Sequence, residues 1–322
     1  MINRRLMEAG RTLPYLVETG PGEDGGGAHY LLSYYEANRA FIETKLLEHG
    51  AVLFRGFGVA TPAAFARCAR GLNRDLLSYV DGNSPRTKLA PGVYTSTEYP
   101  AEYFISLHNE LSYSSKWPSR LFFCCVVAPQ EQGETPIADC RALLRALDPE
   151  VVEEFTRKGV KYTRNLHGGS GAGPSWQETF ECKERAAVEQ YCAGADIDYR
   201  WRPDGSLSLT QVRPAVATHP TTKQAVWFNQ ADQFHPSTHP RHIYETLMSV
   251  YRGREDELPQ NACFGDGTPI DPAALEHIRQ TARALAAVFA WQAGDLLVVD
   301  NMLTSHGRMP FTGPRRVLVS MS

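Results

Sequence analysis

The chain has 322 residues and a formal net charge of −3, with 33 basic and 36 acidic residues mixed along its length. Because no basic stripe stands out, we expect no nucleic-acid partner. No apolar run approaches the ~18 residues that cross a bilayer, and the N-terminus has no hydrophobic signal core, so we expect a cytoplasmic protein that is not membrane-bound.

The N-terminal part, up to about residue 30, is predicted to be irregular, with GPGEDGGG marking a turn. Helical spacing follows from Leu32 to His49 and ends at Gly50, where glycine readily takes a left-handed cap. The next segment, Ala51 to Phe57, alternates as a strand does. Thr61-Pro62 then predicts the start of another helix.

Residues 80–100 are rich in Pro, Gly, Ser and Thr, which predicts an irregular loop leading into the segment ISLHNELSY. We interpret this stretch as a candidate substrate loop, in which Arg86, Tyr94 and Glu98 supply charge and hydrogen-bonding groups. The alternative, that all three are solvated loop residues, is equally open.

The middle of the chain contains an apolar strand from Leu121 to Val127, whose paired cysteines are typical of buried, reduced thiols. Lid or substrate insertions are predicted between residues 164 and 260, including the glycine-rich loop NLHGGSGAGPS. Asn229 follows a short strand and is a candidate to face the substrate. Helices are expected at Ala142–Lys158, Ser175–Tyr191 and Asp271–Phe289.

One histidine cluster is not expected to bind metal. His235, His239 and His242 have spacings that suit a zinc site only if a helix stacks the rings on one face. Pro236 and Pro240 interrupt such a helix.

Two other histidines and a glutamate form a better metal candidate. In an extended segment residues i and i+2 point to the same side, so His108 and Glu110 can reach one ion while Asn109 faces away. His306 lies near a strand end, between predicted strands at Leu296–Val299 and Arg316–Met321. Two imidazoles and one carboxylate on one face of a metal are typical of non-haem Fe(II) oxygenases. The alternative is an ordinary hydrogen-bonded pair.

The segments around these residues resemble a known family. They are GAVLFRGFG, YTSTEYP, HNELSYSSKWPSRLFFCCVVAP, GETPIADCRALL, VWFNQADQFH and DNMLTSHGRMPFTGPRRVL. The chain resembles the taurine dioxygenase family of Fe(II)/2-oxoglutarate-dependent oxygenases, and within it the syringomycin-type aspartyl β-hydroxylases. The resemblance covers most of residues 1–322, read as a single domain. It implies a mainly β fold with surrounding helices, the double-stranded β-helix or jelly roll.

The resemblance also implies roles for individual residues. His108, Glu110 and His306 would be the iron ligands. Arg316 would hold the distal carboxylate of the cosubstrate 2-oxoglutarate, a role in which a guanidinium forms paired hydrogen bonds. Thr135 would support the same carboxylate through its hydroxyl.

The neighbours of Arg316 refine this interpretation. Arg315 is the less favoured member of the arginine pair, and Arg316 itself has the alternative of being a surface residue on an edge strand. Ser320 stands where taurine dioxygenase has an arginine that grips its sulfonate substrate, which argues against a sulfonate here.

The implied activity is hydroxylation of an aliphatic carbon of an amino acid, free or tethered to a peptidyl carrier protein, in natural-product biosynthesis. Fe(II), 2-oxoglutarate and O2 are the implied cofactors and cosubstrates. The carboxylate of Glu110 favours hydroxylation over halogenation, because the related halogenases lack that ligand. Desaturation, ring closure, a non-catalytic jelly-roll binding protein and a cupin-like metal hydrolase remain alternatives, and the sequence does not indicate an oligomeric state.

Overall fold

The computed structural model describes residues 2–8, 10–20, 26–171 and 173–322. The strands are β1 Ile2–Leu6, β2 Tyr15–Thr19, β3 Ala51–Arg55, β4 Lys88–Ala90, β5 Val93–Thr95, β6 Ile105–His108, β7 Arg120–Val127, β8 Glu131–Gln132, β9 Ile137–Asp139, β10 Val160–Leu166, β11 Asp198–Trp201, β12 Leu207–Arg213, β13 Val216–Thr218, β14 Ala225–Trp227, β15 Gln260–Phe264, β16 Leu296–Asp300, β17 Thr304–Arg308, β18 Phe311–Thr312 and β19 Arg316–Met321.

The α-helices are α1 Gly27–Ala37, α2 Arg39–His49, α3 Pro62–Leu72, α4 Cys140–Ala146, α5 Pro149–Lys158, α6 Trp176–Thr179, α7 Arg185–Gly194, α8 Ala231–Phe234, α9 Arg241–Val250 and α10 Pro272–Leu285. Short 3-10 turns lie at Pro236–Thr238 and Glu255–Glu257. Within the described residues, no helix is long and apolar enough to cross a membrane.

An eight-stranded sheet in the order β1-β2-β3-β16-β7-β19-β5-β4 forms one wall of the molecule. All its pairings are antiparallel except that of β2 with β3. Along β7, Phe122 and Cys124 pack in a cluster with side chains of α1, α2 and α3, whereas Phe123 and Cys125 face the interior. Because both faces are covered, these strands appear in the sequence as continuous apolar runs.

A three-stranded sheet in the order β6-β17-β9 lies across the interior. Ile137 of β9 packs in the same buried cluster as Phe123 and Val319 of the large sheet, so the two sheets enclose one core. A four-stranded sheet in the order β11-β12-β10-β15 extends this side. The mainly β, helix-covered jelly roll expected from the resemblance is confirmed.

The structure corrects the prediction of an irregular N-terminus. Residues 2–6 and 15–19 form β1 and β2 at the edge of the large sheet, and Leu16 and Val17 are buried. The prediction failed because strands of five residues with few apolar positions give a weak pattern, and their pairing with β3 supplies the stability. Residues 21–25, within the predicted turn, lie outside the described part.

Other predicted boundaries also shift. The stretch 81–99 contains the hairpin of β4 and β5, and the helices predicted at 32–49 and 142–158 are each two helices, broken at Asn38 and at Leu147-Asp148. Gly50 ends α2 in the left-handed conformation, as predicted. The proposed lid role of the glycine-rich loop after β10 stays a prediction, and its Ala172 lies outside the described residues.

Candidate metal centre

The two histidines meet because their strands pair. His108 ends β6 and is the direct partner of His306 in β17, with ring centroids 4.4 Å apart. The sequence places His306 near a strand end, but it lies in the middle of β17. Together with Glu110 they offer ligand atoms that all lie within 4.8 Å of one another, the one such group among the described residues.

Glu110 reaches this group by a different route from the one predicted. The strand ends at His108, and Glu110 lies in a turn that continues to Leu111 with φ of 55°. The turn is held by Asn301, whose side-chain amide accepts from the Glu110 N–H at 2.8 Å and donates to the Glu110 and Pro118 carbonyls, each at 2.9 Å. Asn109 faces away from the site, as predicted, and donates to the Asn301 carbonyl.

The imidazoles are prepared to bind a cation. His108 Nδ1 lies 2.9 Å from the Ser106 carbonyl, which leaves Nε2 free for a metal. His306 Nδ1 is buried without a hydrogen-bond partner among the described residues, and Nε2 lies 3.9 Å from Glu110 Oε2. Burial lowers the pKa of both histidines, which favours the neutral, metal-binding form. The donor set therefore fits Fe(II).

The structure corrects the placement of Arg316. Its side chain is exposed at the start of β19, where the register against β7 shifts. Arg315 instead is half-buried beside Cys125, and its Nε donates to the Gly133 carbonyl at 2.8 Å. The reason is alternation: Arg315 falls on the same side of the strand as Val317, which faces the interior.

Arg315 is a cation that lacks an anion. Among the described residues, no carboxylate forms a salt bridge with it. Burial, together with the neighbouring Arg308 cation, lowers its pKa to about 10. The Arg308 guanidinium already has partners, since it donates to the carbonyls of Tyr99, Pro100 and Tyr103. A buried, unpaired guanidinium is costly unless a ligand supplies the negative charge.

Thr135 lies on a segment that contacts the arginine at one end and pairs with the strand of His306 at the other. Two residues before it, Gly133 accepts from Arg315, and two residues after it, Ile137 pairs with His306. The buried Thr135 hydroxyl accepts the Trp291 indole N–H at 3.1 Å. Its own O–H is therefore left to donate to an anion.

Comparison with known proteins identifies the family of this chain. The model of the taurine catabolism dioxygenase TauD, TfdA family matches residues 19–321. The chain belongs to this family. It is an Fe(II)/2-oxoglutarate-dependent oxygenase, with Fe(II), 2-oxoglutarate and O2 as its cofactors and cosubstrates. The alternatives of a non-catalytic binding protein and a hydrolase are thereby set aside.

Relatives of this oxygenase match along most of their length. It is 39% identical over 280 residues to the dapdiamide synthesis protein DdaC of Enterobacter agglomerans, covering 87% of this chain and 84% of the relative. A clavaminate synthase-like protein of Arabidopsis thaliana is 32% identical over 299 residues, covering 89% and 85%. The crystal structure of PvcB from Pseudomonas aeruginosa is similar in fold, with a TM-score of 0.55, 16% identity and coverage of 99% and 90%.

The candidate substrate residues of the oxygenase separate into two groups. Arg86 contacts Glu110 in the metal centre. Tyr94 instead lies in the core, with its hydroxyl accepting from the Tyr79 N–H, and Glu98 is exposed and accepts from Thr95. Both ends of the Asn229 amide are taken by backbone groups. These contacts give no support to direct substrate roles for Tyr94, Glu98 and Asn229, and those roles stay predictions.

Within the described residues, His235, His239 and His242 do not form a group of metal-binding side chains. His235 is buried and its Nδ1 accepts from the Ser237 N–H, whereas His242 is exposed. Burial, with the nearby Arg279 cation, lowers the pKa of His235 to about 4. It is a structural histidine that caps a short 3-10 turn.

Asn301 is a positioning residue that the sequence analysis missed. We expect Asn301→Ala to leave one backbone donor and two acceptors unpaired, at about 1–3 kcal/mol each, and to weaken Fe(II) binding by about 10- to 100-fold. Chemical denaturation and anaerobic Fe(II) titration measure the two effects. Asn73→Ala is the control, because within the described part of the chain the Asn73 side chain bonds only the nearby Asp75 N–H. Unchanged iron affinity in Asn301→Ala would remove Asn301 from the metal centre.

Proposed function

We propose that this oxygenase hydroxylates an aliphatic carbon of an amino acid, free or carried as a thioester on a peptidyl carrier protein, in the biosynthesis of a natural product. The relative DdaC, named for dapdiamide synthesis, supports the biosynthetic setting. We also propose a cytoplasmic location, because all seven cysteines are free thiols and Fe(II) is retained best in a reducing compartment.

The observation that carries the proposal is the Arg315 cation together with the Thr135 hydroxyl. Arg315 forms no salt bridge within the described residues and donates to Gly133, two residues before Thr135. A keto-dicarboxylic acid is a dianion whose distal carboxylate fits this pair of groups. Such a pocket serves an oxygenase that takes its electrons from 2-oxoglutarate. If Arg315 rather than Arg316 binds 2-oxoglutarate, the residue four positions later is Val319 instead of Ser320. Val319 is also uncharged, so a sulfonate substrate stays disfavoured.

The residues of the chain bind, orient and exclude water. His108, His306 and Glu110 would hold Fe(II), which with bound 2-oxoglutarate and O2 supplies an oxidant for unactivated C–H bonds. Asn301 holds the backbone of Glu110, and His108 Nδ1 lies within hydrogen-bond distance of the Ser106 carbonyl and of the Gln233 side-chain amide. All three ligands are buried, which keeps bulk water from the reacting centre.

The test is turnover of purified protein with Fe(II), 2-oxoglutarate and O2. We expect succinate only when all three are present, and a product about 16 Da heavier than the substrate with oxygen derived from O2. Candidate amino acids are supplied free and as aminoacyl carrier proteins. Taurine should be a poor substrate.

The same assay separates the alternatives. A product about 2 Da lighter than the substrate would identify desaturation or ring closure, because only hydrogen is then lost. If taurine outperformed every amino acid and every aminoacyl carrier, the amino-acid proposal would be wrong, although the iron and 2-oxoglutarate sites would stand.

A further inference from the structure

Arg86 enters the metal centre from the loop before β4. Its Nη2 donates to Glu110 Oε2 at 2.6 Å, and its side chain is only 3% exposed. The guanidinium carbon lies 4.2 Å from the ring centroid of Tyr79, so the ring supports one face of the cation. Arg86 therefore contacts one of the three candidate metal ligands directly.

Most of the hydrogen-bonding capacity of Arg86 is unused. Its Nε and Nη1 are buried and have no partner among the described residues. A guanidinium has five N–H donors, and the bond to Glu110 uses one of them. Buried donors without acceptors are costly, so the arrangement calls for an acceptor that the chain itself does not provide.

The charges in the site favour an anion as that acceptor. Glu110 is the charged ligand of a divalent cation, so it does not neutralise Arg86. When Fe(II), dianionic 2-oxoglutarate, Glu110, Arg315 and Arg86 are counted together, one positive charge remains. In a buried site an uncompensated charge is expensive. A substrate carboxylate placed at Arg86 would pair directly with this cation and accept from its free N–H groups.

The loop that carries Arg86 is held in place before any ligand arrives. Asp81 is fully buried and forms an ion pair with Arg164, and the Asp81 carbonyl accepts from the Tyr113 hydroxyl at 2.6 Å. Asn83 donates to Gln260 Oε1 at 2.6 Å. Preorganisation of this kind reduces the entropy lost when a ligand binds.

We propose that Arg86 is a substrate-binding residue that selects substrates with a free carboxylate beside the iron. This rests on the proposed function and adds the substrate class to it. The carbon that reacts would then lie close to that carboxylate. A thioester has no free carboxylate at its carbonyl, so a carrier-bound substrate would need a second carboxylate in its side chain.

Matched ligand pairs test the proposal by binding rather than turnover. The probes are L-valine with L-valinamide, L-leucine with L-leucinamide, L-aspartate with L-asparagine, and L-glutamate with L-glutamine. The first two pairs alter the α-carboxylate and the last two the side-chain carboxylate. Affinities are measured by anaerobic calorimetry on the protein loaded with Fe(II) and 2-oxoglutarate. In at least one pair we expect the acid to bind at least about tenfold more tightly than the amide.

Variants separate a substrate contact from a structural role. In Arg86→Gln the preference for the acid should fall to within about twofold, and Arg86→Lys, which keeps the charge, should restore part of it. Arg241→Gln is the control, because the Arg241 side chain is 91% exposed. Fe(II) and 2-oxoglutarate affinities are measured in every variant.

Two results would overturn the proposal: no acid preference in any wild-type pair, or a preference that Arg86→Gln retains. If Arg86→Gln weakened Fe(II) binding but kept the acid preference, Arg86 would only position Glu110. An Arg86-dependent acid preference without hydroxylation of any amino acid would support this proposal and contradict the proposed reaction, so the two failures are distinguishable.

Discussion

Replacing His306 with alanine is expected to abolish 2-oxoglutarate turnover and to weaken Fe(II) binding by more than about 100-fold, because loss of a residue that only orients a ligand already costs 10- to 100-fold. His306 lies in the middle of β17 between the rings of His108 and Phe123, and among the described residues no further His, Cys, Asp or Glu joins the candidate metal group to replace it. Succinate formation and anaerobic Fe(II) titration measure the two effects.

The control must separate loss of a ligand from loss of a buried ring. His235→Ala removes a histidine of similar burial, 6% exposed against 5% for His306, and is expected to keep the wild-type affinity for Fe(II). Circular dichroism shows whether both variants are folded. Turnover at the wild-type rate in folded His306→Ala would refute the ligand assignment.

The candidate metal ligands could be proposed from the sequence because their chemistry depends on residue type and on a short local spacing, and the structure brings the three residues together. The role of Asn301 could not. An asparagine after a strand indicates a turn in almost any sequence, and its three hydrogen bonds to residues 110 and 118 depend on the pairing of distant segments. The predicted extended backbone at Glu110 was wrong for the same reason, because the contact with Asn301 holds this residue in a turn.

Proximity along the chain was a poor guide to the substrate residues. Arg86 and Tyr94 precede His108 by similar distances, yet Arg86 meets Glu110 and Tyr94 packs in the core. The difference arises from the hairpin of β4 and β5, in which β5 joins the edge of the large sheet and Tyr94 pairs with Val319. That register is set by tertiary pairing, and the glycine- and proline-rich sequence contains no periodic pattern that reveals it.

The arginine pair shows a third limit. Alternation of apolar and polar residues in a sequence shows which face of the sheet each side chain is on only when one face of the sheet is polar. In β19 the side chains of Leu318 and Val319 are both fully buried, one against the helices and one in the interior. Hydrophobicity therefore does not reveal which of Arg315 and Arg316 lies on the interior side of the strand, and only the packed structure distinguishes them.

Variants of the two neighbouring arginines are expected to differ in their affinity for 2-oxoglutarate. We expect Arg315→Gln to weaken 2-oxoglutarate binding by roughly 150-fold, which corresponds to about 3 kcal/mol, the lower end of the cost of leaving a buried charge unpaired. The lower end applies because Arg315 is half-buried. Arg316→Gln should change the affinity by less than about threefold, because exposed charges contribute little.

The measurement is titration of 2-oxoglutarate into each anaerobic Fe(II)-loaded variant, with Fe(II) affinity determined separately. Arg315→Lys should give an intermediate affinity, since it keeps a charge but loses the paired hydrogen bonds. Because the two arginines are adjacent and have the same chemistry, a general electrostatic effect would weaken binding similarly in both glutamine variants. A loss confined to Arg316→Gln would instead place the exposed arginine in the pocket, and the interior face of β19 would have to be reassigned.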